Sequence, residues 1–210
     1  MARAAATALT WMQDGTSLFL DAVDHLGEDD YAAPSGLPGW SRAHLVAHVA
    51  ANADALRNLV HWAATGVETP MYASPQQRAD DIAAGALRAP ADLRFWAHSS
   101  AAALAGDLSG LGGLDEAPWQ APVVTAQGRT VPATEILWMR AREVWIHAVD
   151  LATGIGFAAL PADFLDELVA EIVARRGLDA VPAGPRPDVA AYLAGRPHGL
   201  TGAAALGPWL

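Results

Sequence analysis

The stretch PATEILWMRAREVWIHAVDLATG, residues 132–154, carries the pattern that decides the fold class. Its apolar residues recur every three or four positions, which is the period of an amphipathic helix. Pro132 suits the first turn of such a helix, and Gly154 suits its end. We therefore predict a long helix from Pro132 to near Gly154, with one face in a protein core.

The same period recurs on both sides of this stretch, in segments separated by proline and glycine. Ser41 is the expected N-cap of a second long helix, and Gly66 is placed to end it in a left-handed conformation. The further predicted helices cover residues 4–25, 41–65, 75–85, 90–105 and 161–177, with a short one around 188–195. Residues 123–131 indicate a small hairpin, because β-branched residues flank a turn. The pattern is typical of a mainly α protein built on an antiparallel four-helix bundle.

Two regions are expected along the chain. Residues 1–155 contain the four long helical segments and form the predicted bundle. Residues 156–210 begin with a further helix, and after Gly177 they become rich in proline, glycine and alanine. We expect this second region to be a reduced appendage without an extensive core of its own.

Composition and charge exclude several classes of function. With 13 basic and 23 acidic residues the formal net charge is −10, so we expect neither a nucleic acid nor a membrane surface as partner. No run of about 18 apolar residues occurs, and we expect a cytoplasmic protein. Since no heptad pattern is present, we expect a monomer. Because the chain has no cysteine, thiol chemistry would need an external thiol, and a metal site would need His, Asp or Glu.

Candidate metal ligands occur on the helix predicted from residues 132–154. Glu143 and His147 are four residues apart, so their side chains leave one face of the helix and could bind one metal ion. The alternative is that Arg140, Glu143, His147 and Asp150 form a solvated polar stripe. In the first case Asp150 could orient the imidazole of His147, and in the second it would face water.

The helix predicted from residue 41 carries two histidines, His44 and His48. Each could be a hydrogen-bonded core histidine. One histidine from this helix, together with Glu143 and His147, would instead give the three ligands of an open catalytic zinc site. We favour His48, because it lies one turn deeper in the helix than His44. The remaining histidines show no ligand spacing and are expected to be structural or exposed: His25, His61, His98 and His198.

Three long strings identify a family resemblance: LPGWSRAHLVAHVA at 37–50, GVETPMY at 66–72, and TAQGRTVP at 125–132 continuing through WMRAREVWIHAVDL at 138–151. They closely resemble the mycothiol-dependent maleylpyruvate isomerases, and the resemblance covers most of residues 1–178. It implies a DinB-like four-helix metalloprotein domain with the ligands His48, Glu143 and His147. It also implies zinc, or another divalent metal, and mycothiol as cofactors, and it places Arg78 and Arg196 near the active site.

The implied reaction converts maleylpyruvate to fumarylpyruvate in gentisate breakdown. It needs a thiolate that adds to the cis double bond, rotation about the resulting single bond, and elimination to the trans isomer. Coordination to zinc would supply the thiolate. Since the substrate is a dicarboxylate, Arg78 and Arg196 are expected to bind its charges. Members of the family carry a longer C-terminal α/β domain, so we expect the region after Gly177 to be shortened here.

Two other functions remain open on the sequence. A mycothiol S-transferase, which conjugates an electrophile, would use the same fold and metal. A non-enzymatic helical binding module would leave the face of Glu143 and His147 solvated. An isomerase returns the thiol unconsumed, whereas a transferase uses one equivalent per turnover. A binding module would contain no stoichiometric zinc, which metal analysis of the purified protein detects.

Overall fold

A computed structural model describes residues 4–204, 206–207 and 209 of the chain. By proximity of its residues the chain divides after Leu151 into two compact units. In the first unit the elements are α1 (Ala5–Asp24), α2 (Arg42–Thr65), α3 (Pro75–Gly85), α4 (Pro90–Ser109), α5 (Ala117–Gln120), β1 (Pro122–Val124), β2 (Thr130–Pro132) and α6 (Glu135–Asp150). In the second unit they are α7 (Ala162–Arg176) and α8 (Arg186–Leu193).

Four long helices of the first unit, α1, α2, α4 and α6, build the bundle. α1 packs mainly on α6, while α2 packs on both α4 and α6. Large side chains from all four helices are fully buried between them, including Phe19, Leu56, Leu93 and Trp138. Burying each such side chain contributes about 1.5 to 3 kcal/mol. The prediction of a mainly α protein is confirmed.

Helix α2 begins and ends where its sequence signals place it. The Ser41 hydroxyl accepts a hydrogen bond from the backbone N–H of His44 at 3.3 Å, which satisfies one of the free donors of the first turn. Gly66 follows the last turn with φ +73°, a conformation that costs glycine little. The predicted N-cap and C-terminal glycine are both confirmed.

The start of α6 differs from the prediction. Pro132 does not open the helix, because it is the last residue of β2 and pairs with Pro122 of β1. The predicted hairpin is confirmed, with β1 and β2 antiparallel. A proline has no N–H for a strand ladder and is tolerated at such a strand end. α6 therefore begins three residues later, at Glu135.

The ends of α4 and α6 also differ from the prediction. α4 continues through Gly106 to Ser109, since Leu104 and Leu108 are buried on either side of that glycine and hold the helix in the core. A glycine inside a helix costs only about 1 kcal/mol. α6 ends at Asp150, and the carbonyl of Leu151 accepts a hydrogen bond from Nε of Arg42 at 2.8 Å.

The second unit is helical where it is described. α7 and α8 pack on each other, and they bury Phe164, Leu168, Ile172, Val189 and Leu193. Its described residues contain no strand. Across both units, none of the described helices combines the length and apolarity needed to cross a membrane.

Candidate metal centre

Helices α2 and α6 bring His48, Glu143 and His147 together inside the first unit. Nε2 of His48 lies 3.0 Å from Oε2 of Glu143, and Nε2 of His147 lies 3.3 Å from the same oxygen. Each residue offers one ligand atom, and these atoms lie within 4.8 Å of one another. The two imidazole rings stand nearly perpendicular, at 81°. Three atoms of the kinds that bind metals therefore lie close enough together to hold one ion.

Two of these distances are close to those expected around a divalent metal. Zinc bonds of about 2.0 to 2.2 Å in a tetrahedral arrangement separate neighbouring ligand atoms by roughly 3.3 to 3.5 Å. The separations of 3.0 and 3.3 Å between the carboxylate and the two imidazoles are close to this value. Two histidines and one glutamate also form a donor set of open catalytic zinc sites, which leave a coordination position for water or another ligand.

The polar face of α6 lies in the protein interior. Arg140, His147 and Asp150 are each 2% exposed, and the side chain of Glu143 is 15% exposed. The alternative of a solvated polar stripe is therefore wrong. The face of α6 that carries these residues packs against α2 and does not face water. Buried polar groups of this kind need partners, and here they partner one another.

The electrostatics of the cluster favour the metal-binding protonation states of Glu143 and His48. Burial alone would raise the pKa of Glu143, but hydrogen bonds to His147 and His48 outweigh it and hold that pKa well below its ordinary value. Burial lowers the pKa of His48, so that its imidazole is neutral at pH 7. For His147 burial acts in the same direction, but the hydrogen bonds to Asp150 and Glu143 outweigh it and raise the pKa. A bound cation would displace the proton from His147.

Asp150 fixes the orientation of His147. Nδ1 of His147 donates to Oδ2 of Asp150 at 2.9 Å, and this leaves Nε2 directed toward Glu143. A carboxylate that accepts the second N–H of a ligand imidazole is a common feature of metal centres. The sequence suggested this role for Asp150 as one of two alternatives.

The loop before α2 packs against this end of α6. The backbone N–H of Gly36 donates to the carbonyl of Asp150 at 2.6 Å. A Cβ atom at position 36 would lie 3.2 Å from Cα and O of Asp150, so the close approach suits glycine. The same loop leads to Trp40, whose ring meets that of His48 edge-on with centroids 5.5 Å apart. Trp40 thus forms a wall of the centre, whereas Trp138 and Trp145 are buried in the core.

Arg78 and Arg196 lie in different units. Arg78 is on α3, and its Nη2 lies 3.4 Å from Nδ1 of His48, which places a positive charge beside the centre. Its guanidinium also stands 5.9 Å from the centre of the Tyr72 ring. Arg196 belongs to the second unit, where it is buried and donates to the carbonyl of Ala194 at 2.7 Å.

Two residues near the centre were not predicted as site residues from the sequence. Burial raises the pKa of Tyr72, which therefore stays protonated at neutral pH. Arg140 is fully buried and donates to the carbonyl of Val49 and to Oδ1 of Asn52, so that it joins α6 to α2 one turn from Glu143. Burial lowers the pKa of Arg140 to about 10, and it remains charged. The sequence signal for Arg140 was its place in the polar stripe of α6.

The other histidines lie outside the cluster. Nδ1 of His44 lies 2.7 Å from the Ser41 hydroxyl at the start of α2, so the structure places His48 and not His44 beside α6. His25 and His98 contact Asp21 and Asp24, and His198 lies against Tyr192. His61 is exposed.

Known proteins resemble this chain in sequence and in structure. The sequence model of the mycothiol maleylpyruvate isomerase N-terminal domain family matches residues 12–152. Among solved structures, the mycothiol-dependent maleylpyruvate isomerase and its histidine-to-alanine mutant are similar, with TM-scores of 0.85 and 0.84. Both are 39% identical, and the match covers 93% of this chain and 90% of theirs. About a tenth of each of those two chains lies outside the match. No curated protein sequence matches significantly.

Proposed function

The chain belongs to the mycothiol maleylpyruvate isomerase family, and from this premise we propose that it is a cis–trans isomerase that converts maleylpyruvate to fumarylpyruvate with a metal ion and mycothiol. One observation carries the proposal. The buried cluster of His48, Glu143 and His147 is a metal-binding set in a chain that is 39% identical, over 93% of its length, to a solved enzyme of that name. A binding module with a solvated polar face would not bury these groups.

We propose that His48, Glu143 and His147 hold zinc. When bound, the metal favours the deprotonated form of a thiol, and a thiolate is the nucleophile that the isomerisation needs. Glu143 is ionised and His48 is neutral in the folded chain, so both have the form that binds a cation. Asp150 holds the ring of His147 in the orientation that points Nε2 at the centre.

Arg78 supplies the positive charge that a dicarboxylate substrate needs. Its guanidinium lies at the rim of the centre, next to His48 and Tyr72, in a chain whose formal net charge is −10. An arginine fork can bind a carboxylate through two parallel hydrogen bonds. We propose that Arg78 binds one carboxylate of maleylpyruvate. The family resemblance assigns an active-site role to Arg196 as well, and the same kinetic measurement tests it.

From composition we propose that the enzyme is a cytoplasmic monomer without a nucleic acid or membrane partner. The net charge of −10 opposes binding to phosphate backbones and to anionic lipid surfaces. Size-exclusion chromatography with light scattering tests the oligomeric state, and a dimer mass would contradict the proposal.

The test is an incubation of the metal-loaded protein with maleylpyruvate, with and without mycothiol, followed by absorbance and product identification. We expect fumarylpyruvate to appear only with mycothiol, and the thiol to be recovered unchanged. Consumption of one equivalent of thiol per turnover would instead identify an S-transferase. Absence of stoichiometric metal in the purified protein, together with no turnover after metal addition, would contradict both enzymes.

A further inference from the structure

A groove of about 1190 Å³ opens in the first unit between α2, α3 and α4. α2 lines it with Ala51, Ala55 and Asn58, and the segment between α2 and α3 adds Tyr72. His48, Glu143 and His147 are not among the lining residues. The groove is therefore a separate feature from the candidate metal centre.

The groove begins beside that centre. Tyr72 lines it, and Arg78 joins Tyr72 to His48 through contacts of 5.9 Å to the ring and 3.4 Å to Nδ1. On α2, Ala51 and Ala55 follow His48 by three and seven residues and so share its helix face. The lining continues along α2 to His61. At 1.5 Å per residue this is roughly 20 Å from His48, which gives room for an elongated ligand whose one end reaches the centre.

The lining offers both hydrogen-bond donors and acceptors with little net charge. It includes three aspartates, Asp54, Asp81 and Asp107, and two arginines, Arg57 and Arg88. Arg57 pairs with Asp107 across the groove at 2.6 Å, and Nε1 of Trp96 donates to Asp54 at 2.9 Å. Because the arginine charges are balanced by carboxylates, the groove does not suit a phosphate or a second dicarboxylate. It suits a neutral ligand with many hydroxyl groups.

We propose that this groove binds the carbohydrate part of mycothiol, while the thiol end of the cofactor reaches the candidate metal centre. Mycothiol carries its cysteine thiol on glucosaminyl-inositol, which is a polyhydroxylated unit of two rings. Its hydroxyls match the mixed carboxylate and guanidinium lining, and the alanines of α2 supply the apolar floor. The inference rests on the proposed function, since it takes mycothiol as the cofactor.

Two tryptophan variants on neighbouring positions of α3 test the proposal. Ala84 is exposed and lines the groove, whereas Ala83 is equally exposed and does not line it. Ala84→Trp should fill the groove, and Ala83→Trp makes the same substitution on another face of the helix. Both variants and the wild type are titrated in a calorimeter with mycothiol and with N-acetylglucosaminyl-inositol, in which the amine is acylated and neutral as it is in mycothiol. We expect Ala84→Trp to raise the Kd of both ligands by about tenfold or more. Ala83→Trp should change the Kd of each ligand by less than about twofold.

The outcomes separate this inference from the proposed function. If mycothiol binds both variants with equal affinity, the groove is not its site, whatever the isomerase assay shows. If Ala84→Trp selectively weakens mycothiol but maleylpyruvate is not isomerised, the groove assignment holds and the proposed reaction is wrong. Asp107→Asn provides a second variant, which removes a carboxylate from the lining without adding volume, and Asp14→Asn on α1 is its matched control.

Discussion

The two halves of α2 serve neighbouring features in different surroundings. In the first half His48 is 4% exposed and contacts the carboxylate of Glu143. In the second half the side chain of Arg57 is 40% exposed, and its partner Asp107 is equally exposed. A buried polar group that loses its partner costs several times more than an exposed one, because water cannot replace the lost contact. The buried polar contact of His48 therefore depends on each partner, whereas the exposed ion pair between Arg57 and Asp107 tolerates change.

The largest expected effect is the loss of a metal ligand from the buried cluster. His48→Ala or His147→Ala should remove bound zinc and lower kcat/KM by about 1000-fold, since a catalytic metal contributes several kcal/mol to the transition state. Metal content by mass spectrometry and turnover with mycothiol measure this. His44→Ala is the matched control, because His44 lies on the same helix outside the cluster. Stoichiometric zinc in both ligand variants would disprove the assignment.

A smaller effect is expected from the residue that orients a ligand. Asp150→Asn keeps the size of the side chain but removes the negative charge that accepts the N–H of His147. We expect zinc affinity to fall by about 10- to 100-fold. Competition with a metal chelator measures the affinity, with Asp14→Asn as control. An unchanged affinity would mean that Asp150 has a structural role only.

At the rim of the centre, Arg78→Ala should weaken substrate binding and leave metal binding unchanged. We expect KM for maleylpyruvate to rise by about 10- to 100-fold with zinc content unchanged, because one charge-assisted interaction is worth about 1.5 to 3 kcal/mol. Steady-state kinetics and metal analysis distinguish the two effects. Arg129→Ala, in the exposed hairpin turn, is the control. An unchanged KM would show that Arg78 does not bind the substrate.

The smallest effect is expected at the exposed ion pair in the second half of α2. Asp107→Asn breaks the ion pair with Arg57, and the free energy of unfolding should fall by less than about 1 kcal/mol, as is usual for exposed pairs. Urea denaturation measures the change. A loss above about 2 kcal/mol would show that this ion pair contributes more to stability than its exposure indicates, and so resembles the buried contacts of His48.

The parts that the sequence predicts well are those set by local rules. The bounds of α2 follow from its N-cap and its C-terminal glycine, and the pair Glu143 and His147 follows from helical spacing. The three-residue cluster was also predictable, because the candidate ligands lie on two strongly periodic segments and the chain has no cysteine to compete.

The parts that the sequence missed depend on tertiary contacts. Pro132 suggested a helix start, yet pairing with Pro122 places it in a strand. The burial of Arg140 and the position of Tyr72 follow from the packing of α6 and of the segment before α3 against α2, which no local pattern encodes. The groove arises in the same way, since its lining comes from three helices and the loops between them.

The hydrogen bonds from Gly36 to Asp150 and from Arg42 to Leu151 join segments that are more than a hundred residues apart in sequence. The centre likewise needs His48 and His147 at once. A growing chain therefore cannot capture a metal ion through this site until α6 has been synthesised and has docked on α2. If the centre binds a metal ion, as proposed, metal loading is a late event of folding and reports that the first unit has reached its native arrangement.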